Sequence, residues 1–210
     1  MNTKLLEKRL GRKGAIKYLL KELKDAESNP GDGKIVKAIQ QLGEIKAVEA
    51  LDRLEELAVG EKSFVRECCL ASLLKIDEDR AFPLIKEAVL EEKNKWVRSE
   101  YAEMLGECSS KKEEAKRVLK EVLNDEKVEV RLKAASSLAK HGDTSGHRVA
   151  LEVVEKELYD EDIRKEAVEI LGEIGVNDEE TIEAIKNYER ETCVGRQTLE
   201  RLGVRTRHFE

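Results

Sequence analysis

Apolar residues recur along the chain at the three- and four-residue intervals of an α-helix. Between residues 130 and 138 they fall at Val130, Ala134, Ala135 and Leu138, which places them on one helical face. A second stretch with the same spacing follows each of these stretches. The pattern therefore predicts pairs of amphipathic helices rather than strands.

One leucine position recurs every 31 to 33 residues over the whole chain, at Leu10, Leu42, Leu73, Leu105, Leu138, Leu171 and Leu202. A fixed period of this length is typical of stacked structural repeats, in which each unit buries its apolar face against its neighbours. We therefore predict a single domain, residues 1–210. Its helix pairs are expected near 3–25, 33–59, 63–92, 95–124, 128–159 and 161–190, with a capping helix near 192–203.

Glycine follows the repeated leucine at five positions, Gly11, Gly43, Gly106, Gly172 and Gly203. Glycine often ends a helix in the left-handed conformation, so we predict that it closes the first helix of each unit. Pro83 is expected in the first turn of its helix, where a missing N–H has little effect. The segment 25–33 is the clearest predicted loop.

Several short motifs accompany the period. Asp125 precedes the pair Val130-Arg131, Leu-Gly closes the first helix, and Ala81-Phe82-Pro83-Leu84 begins a second helix. These features resemble the HEAT repeat, in particular the HEAT-like class first associated with phycobiliprotein lyases. The resemblance implies an all-α, right-handed α-solenoid of about six helix pairs, with the second helices lining a concave groove.

A basic residue occupies one slot in four units, at Arg66, Arg98, Arg131 and Arg164. The resemblance implies a structural ladder in which each arginine pairs with the turn aspartate of the neighbouring unit. A phosphate-binding stripe is the alternative for the same four residues.

Exposed positions on the predicted second helices are acidic, then basic, then acidic along the chain. They are Asp52, Glu55, Lys86, Arg117, Lys120, Glu152, Glu155, Glu183 and Lys186. Such a banded groove would select a partner of complementary charge. The alternative, that these are ordinary polar helix faces, stays open.

Charge is unevenly distributed along the chain, which carries 39 Lys+Arg and 45 Asp+Glu residues, a net −6. Residues 4–24 contain eight basic residues against Glu7 and Glu22. A basic end could dock on nucleic acid or on another acidic surface. Because the middle of the chain is acidic and would repel a duplex, we expect a solvated capping helix and no nucleic acid partner.

Four apolar residues, Leu51, Phe82, Leu151 and Ile182, share one slot beside the predicted groove, where Lys116 is the exception. We expect them to form the edge of the core, with a ligand-binding strip as the alternative. Trp96 is expected to pack on the neighbouring repeat, although a partly exposed tryptophan would be a candidate interface hot spot.

The chain contains few residues that could act in catalysis or bind a metal. Cys68 and Cys69 adjoin within an apolar stretch and are expected to behave as small hydrophobic residues. None of His141, His147 and His208 is followed by Glu, unlike the His-Glu pairs by which the similar HEAT-like deoxyhypusine hydroxylases hold di-iron. A polar, solvated turn is expected at 141–147, with a metal or acid–base role as the alternative. We predict no catalytic residue, no metal site and no cofactor.

The chain lacks an apolar run long enough to span a membrane and begins with a charged segment, so we expect a cytoplasmic protein with no membrane partner. The predicted function is a non-catalytic scaffold that binds another protein or peptide in the groove. The first alternative is a subunit of a phycobiliprotein (bilin) lyase-like enzyme. The second is a HEAT-like DNA-binding protein or glycosylase, although the groove is banded in charge and the chain is poor in aromatic residues.

Overall fold

The computed structural model describes residues 2–28, 33–60, 62–156, 158–189 and 194–204. Within these ranges the regular structure is α-helical, apart from a 3₁₀ turn at Val48–Ala50. The helices are α1 (Thr3–Ser28), α2 (Lys34–Glu44), α3 (Leu51–Ala58), α4 (Ser63–Ile76), α5 (Glu78–Glu91), α6 (Lys95–Glu107), α7 (Lys112–Val122), α8 (Val128–Lys140), α9 (His147–Glu155), α10 (Glu161–Ile174), α11 (Glu179–Glu189) and α12 (Val194–Arg201). From residue 33 onward they lie within the ranges predicted for the pairs, while Pro30, Cys193 and His208 lie outside the described residues.

The helices form two compact units, residues 1–88 and residues 89–210, called unit 1 and unit 2 below. In unit 1, α2 contacts both α1 and α4, and α3 contacts α4. In unit 2, the first helices α6, α8, α10 and α12 contact one another in sequence, and the second helices α9 and α11 are also in contact. Within each unit the packing is therefore between neighbouring repeats, as the period predicts.

The first predicted pair corresponds to two helical segments of α1 that meet at a kink. α1 is broken at Gly11, whose φ of 68° and ψ of 163° are not helical, so two helical segments meet there without a loop. The left-handed φ predicted for glycine is found here and at Gly203. The loop predicted from residue 25 begins later, because residues 25–28 form the last turn of α1.

At Gly43, Gly106 and Gly172 the prediction of a left-handed helix end is wrong, because all three lie inside helices. Their role is close approach between repeats. A Cβ at Gly43 would lie 2.7 Å from Ser72 Oγ, and a Cβ at Gly106 would lie 2.7 Å from Ser137 Oγ. Glycine therefore lets α2 pack against α4, and α6 against α8, at a distance that a side chain would prevent.

The two serines that face these glycines differ in their hydrogen bonding. The Ser72 hydroxyl donates to the Ile39 carbonyl at 3.1 Å, whereas the buried Ser137 hydroxyl has no hydrogen-bond partner among the described residues.

Since an unsatisfied buried hydroxyl is destabilising, we expect Ser137→Ala to raise the free energy of unfolding by about 1 kcal/mol. Ser72→Ala is the matched control, expected to lower it by a similar amount. Urea denaturation of both variants tests this, and equal effects would contradict it.

Pro83 does not lie in the first turn of its helix, because α5 begins at Glu78. The Asp77 carboxylate accepts a hydrogen bond from the Arg80 backbone N–H at 3.2 Å, and its carbonyl accepts from Ala81 N. This aspartate caps the helix earlier than the Ala-x-Pro-Leu motif indicates. Pro83 consequently lies about one turn into α5.

Candidate functional site

The second helices of unit 2 present a polar face to solvent and an apolar face to the core. In α7, Arg117 and Lys120 are exposed while Val118 and Leu119 are buried. The same alternation places Glu152 and Glu155 of α9, and Glu183 and Lys186 of α11, at the surface. Because α9 and α11 are in contact, the last four lie on adjacent helices. All six predicted residues of unit 2 are therefore solvent-exposed.

Two of these six residues form ion pairs within the chain. Lys120 Nζ lies 2.8 Å from Asp143 Oδ2, and Lys156 pairs with Glu152 one turn away. Burial tends to raise the pKa of Asp143, but hydrogen bonds from Lys120 and Ser145 outweigh it and lower the pKa to about 2. The hydrogen bond from Lys156 likewise lowers the pKa of Glu152. Arg117, Glu155, Glu183 and Lys186 have no ion-pair partner in the described part of the chain, so their charges face solvent.

In unit 1 the two predicted acidic residues are bridged by an arginine. Arg80 Nη2 lies 2.7 Å from Asp52 Oδ1, and Arg80 Nε lies 2.6 Å from Glu55 Oε1. The hydrogen bonds that Arg80 donates to both carboxylates raise its pKa. The exposed Lys86 belongs to the same unit. Sequence reasoning missed Arg80, which partly neutralises the acidic band; its position in the first turn of the following second helix was the available signal.

Arg98 makes the contact that the repeat resemblance implies. Its Nε and Nη2 donate to both carboxylate oxygens of Asp125, at 2.6 and 2.9 Å, and Asp125 lies in the turn of the next repeat. The two side chains are only 9% and 13% exposed. This buried bidentate pair links α6 to the turn before α8.

The other three arginines make different contacts, and the common feature is a backbone carbonyl. Three of the four donate Nη1 to the carbonyl six residues earlier: Arg66 to Gly60 at 2.9 Å, Arg98 to Glu92 at 2.6 Å and Arg131 to Asp125 at 2.8 Å. Arg164 instead donates to Val154 O at 3.2 Å and lies over the Tyr188 ring. These arginines therefore satisfy carbonyl groups in the last turn of the preceding second helix or just after it.

The expectation for Trp96 is wrong, since its side chain is 63% exposed. Lys95 Nζ lies 4.6 Å from its ring centroid. Arg98 follows two residues later and is buried, and positions two apart on a helix point in nearly opposite directions, so Trp96 faces outward. By contrast Leu51, Phe82 and Leu151 are buried, as predicted for the core edge.

The turn at 141–147 is less solvated than expected. His141 is buried with its Nε2 at 2.9 Å from the Leu105 carbonyl, and His147 Nε2 is 2.7 Å from Thr181 Oγ1. Both histidines thus link this turn to other elements of unit 2.

Cys68 and Cys69 are buried thiols, and burial raises their pKa to about 11 and about 12. They pack as small hydrophobic residues, as predicted.

Among the residues that the structure describes, no group of three or more His, Cys, Asp or Glu side chains is placed to hold a metal ion. None of the described helices is both long and apolar enough to cross a membrane.

A comparison with family models agrees with this architecture. A family model of HEAT repeats matches residues 16–106, 85–157 and 117–192. Similar solved structures include the complex of CpcE and CpcF of phycocyanin lyase from Nostoc sp. PCC7120, with 16% identity, a TM-score of 0.49, and coverage of 90% of this chain and 81% of that one.

Human deoxyhypusine hydroxylase in complex with glycerol is similar at 18% identity and a TM-score of 0.41, covering 90% of this chain and 74% of that chain. No curated protein sequence matches. The predicted fold class, an all-α solenoid of repeated helix pairs, is confirmed by the helices and by the family match together. The chain belongs to the HEAT-repeat family.

Proposed function

We propose that the chain is a non-catalytic scaffold that binds another protein or peptide on the charged faces of its second helices. The observation that carries this proposal is the set of charges on α7, α9 and α11 that have no ion-pair partner in the described residues. Arg117, Glu155, Glu183 and Lys186 project from helices whose opposite faces are buried. A partner of complementary charge would neutralise them.

Packing fixes the helices that carry these charges before a partner arrives. Buried positions alternate with the exposed ones on every second helix of unit 2, so the helices lose little freedom on binding. The bands of opposite sign would set the register of the partner and speed its association more than they would add affinity. Asp52 and Glu55 contribute less to such recognition than the sequence indicates, because Arg80 already occupies both carboxylates.

Reversing the predicted basic residues of α7 and α11 tests this proposal. With a partner identified by affinity capture and then purified, we expect Arg117→Glu, Lys120→Glu and Lys186→Glu together to lower the association rate about tenfold or more. Surface plasmon resonance at two salt concentrations measures it. The control reverses three exposed lysines elsewhere, Lys93, Lys112 and Lys165, with the same change in net charge.

Because Lys120 pairs with Asp143, the melting temperature of each variant is measured as well. Equal association rates for the triple variant, the control and the unmodified chain would contradict the assignment of this surface. A bilin lyase subunit, the alternative drawn from the repeat resemblance, predicts instead that adding a bilin shifts its visible absorption band. Such a shift, unaffected by the triple reversal, would replace the scaffold proposal.

A further inference from the structure

A row of lysines occupies the solvent face of α1. Lys13, Lys17, Lys21 and Lys24 are spaced four, four and three residues apart and are all exposed. The buried face of the same helix segment contains Ile16, Leu19 and Leu23 among others. At 1.5 Å per residue the row extends over about 17 Å along one side of the helix.

These ammonium groups have no partner within the described residues. Of the eight basic residues of α1, Arg12 lies 3.6 Å from Glu7 and also donates to the Lys46 carbonyl. The other seven make no ion pair there: Lys4, Lys8, Arg9, Lys13, Lys17, Lys21 and Lys24. Like charges four residues apart destabilise a helix by about 0.2–0.5 kcal/mol per pair. A polyanion along this face would relieve that repulsion.

A cleft beside the row offers a second kind of contact. It lies between α1 and α2, has a volume of about 170 Å³, and has as its polar lining Tyr18, Glu22, Lys34, Lys37 and Gln41. The Tyr18 side chain is 42% exposed. The lining thus contains two lysines and one carboxylate, and an exposed aromatic ring beside basic side chains is an arrangement on which nucleic acid bases stack.

The free energy of each ionic contact distinguishes an acidic protein from a nucleic acid as the partner of this row. An exposed ion pair with a protein carboxylate contributes about 0–1 kcal/mol, and four such pairs do not offset the several kcal/mol that association costs. The buried apolar face of α1 adds nothing, and the exposed apolar side chains Leu5 and Leu10 belong to the segment before the lysine row. Nucleic acid differs because each phosphate contact releases condensed counterions, so that electrostatic contacts alone are sufficient for binding.

The exposed ring of Tyr18 and the distribution of charge narrow the choice further. The lysine row lies wholly on the segment of α1 after Gly11, and the exposed Tyr18 ring of the same segment can stack on the unpaired bases of a single strand, whereas the bases of a duplex are already stacked on one another and a membrane has none. Residues 1–88 contain 17 basic and 16 acidic residues, while residues 89–210 contain 22 basic and 29 acidic residues. Most of the acidic excess that argued against nucleic acid from the sequence thus lies in unit 2, while residues 25–88 contain 9 basic and 14 acidic residues.

We propose that the α1–α2 face of unit 1 binds single-stranded nucleic acid. The lysine row of α1 contacts successive phosphates, and Tyr18 stacks on a base in the adjacent cleft. Lysine lacks the planar pair of donors with which arginine makes bidentate hydrogen bonds. Binding through the lysine row is therefore expected to have little sequence selectivity. This activity goes beyond the proposed scaffold function and uses none of its residues.

Fluorescence anisotropy of a 12-nucleotide labelled oligo(dT), titrated with the full chain between 25 and 200 mM NaCl, tests the proposal. We expect Lys13→Gln, Lys17→Gln, Lys21→Gln and Lys24→Gln together to weaken binding more than tenfold at the lowest salt. The slope of log K against log salt should become shallower by about 3, since each phosphate that is no longer neutralised accounts for about 0.7. The control variant neutralises four exposed lysines elsewhere, Lys62, Lys93, Lys112 and Lys165, and should bind like the unmodified chain.

Tyr18→Leu separates stacking from charge. We expect it to weaken binding about fivefold or more while leaving the salt slope unchanged. Circular dichroism of every variant checks that the helices are retained. A change in slope on Tyr18→Leu, or an unchanged affinity, would overturn the stacking contact.

Other results would overturn the proposal as a whole. They are an absence of oligo(dT) binding at 25 mM NaCl, equal weakening in the control variant, or tighter binding to a duplex of the same length. Phosphatidylserine vesicles and a glutamate-rich 20-residue peptide are tested in parallel. Either one binding through the lysine row, in preference to oligo(dT), would also overturn it.

Discussion

Asp125→Asn is expected to lower the free energy of unfolding by about 3 kcal/mol, because it leaves the guanidinium of Arg98 buried without its counter-charge. The Arg98 side chain is 9% exposed, and both of its contacts with the carboxylate are charge-assisted hydrogen bonds. Asp125 also accepts a hydrogen bond from the Lys127 backbone N–H at 2.8 Å, which orders the turn before α8. Urea denaturation at pH 7 measures the decrease in stability.

The effect of this substitution should depend on pH in a defined direction. Burial tends to raise the pKa of Asp125, but the hydrogen bonds from Arg98 and Lys127 and the nearby positive charges outweigh it, so its pKa in the folded chain is lowered. A group with a depressed folded pKa contributes its stability above its unfolded pKa, about 3.9, and loses it as the pH falls through the folded value. The difference between the unmodified chain and Asp125→Asn should therefore be full at pH 5 to 7 and shrink below about pH 4.

Two controls separate burial from charge. Glu180→Gln breaks the Arg148–Glu180 pair, whose side chains are 72% and 53% exposed, and should change the free energy of unfolding by less than about 0.5 kcal/mol. Arg98→Met combined with Asp125→Asn removes both charges and should recover part of the stability. Equal effects of Asp125→Asn and Glu180→Gln would show that the buried pair does not link the repeats.

The helix pairs were predictable because their signal is local. Apolar residues three and four apart identify a helix without any knowledge of its neighbours, and the leucine period gives the length of each unit. The exposure of Trp96 could not be predicted from local sequence, because its position near a turn does not show which face of α6 is buried. Arg98 lies on the buried face, and Trp96 therefore faces solvent.

The contacts of the candidate surfaces were harder to predict because they join residues of different repeats. Arg80 meets Asp52 and Glu55 across 28 and 25 residues, and this pairing depends on how two second helices are rotated relative to each other. The exposure of the lysine row follows from the amphipathic pattern of α1. Its lack of ion pairs among the described residues does not, because that depends on which carboxylates the fold brings within reach.

The packing role of Gly106 could not be predicted from its own repeat, because it depends on Ser137 of the next repeat. Its substitution is expected to have the second large effect on stability. In Gly106→Ala the added Cβ would lie 2.7 Å from Ser137 Cβ and Oγ, and 3.0 Å from Ser137 Cα. Real Cβ atoms do not approach so closely, so α6 and α8 must move apart. We expect the free energy of unfolding to fall by about 2 kcal/mol, despite the gain in helix propensity that alanine brings.

Gly14→Ala is the matched control, because it makes the same substitution inside α1 on the surface of unit 1. Its Cβ would meet only Leu10 Cβ, at 3.0 Å, and a backbone shift of a few tenths of an ångström at Leu10, which adjoins the break in α1 at Gly11, relieves this contact. The propensity gain should then dominate, and Gly14→Ala should be neutral or stabilising by up to about 1 kcal/mol. Destabilisation at Gly14 as large as that at Gly106 would mean that alanine is unfavourable for reasons other than the packing between repeats.

A double-mutant cycle with Ser137→Gly identifies the contact itself. Ser137→Gly removes the Cβ and Oγ that the Cβ of Gly106→Ala would meet at 2.7 Å, so only the approach to the Cα of residue 137 at 3.0 Å remains. Ser137→Gly alone has two opposing effects, since glycine weakens α8 by about 1 kcal/mol while the removal of a buried, unsatisfied hydroxyl is favourable. The coupling between the two substitutions should therefore be favourable by at least about 1 kcal/mol. Strictly additive effects would contradict the assignment of this glycine to the packing of neighbouring repeats.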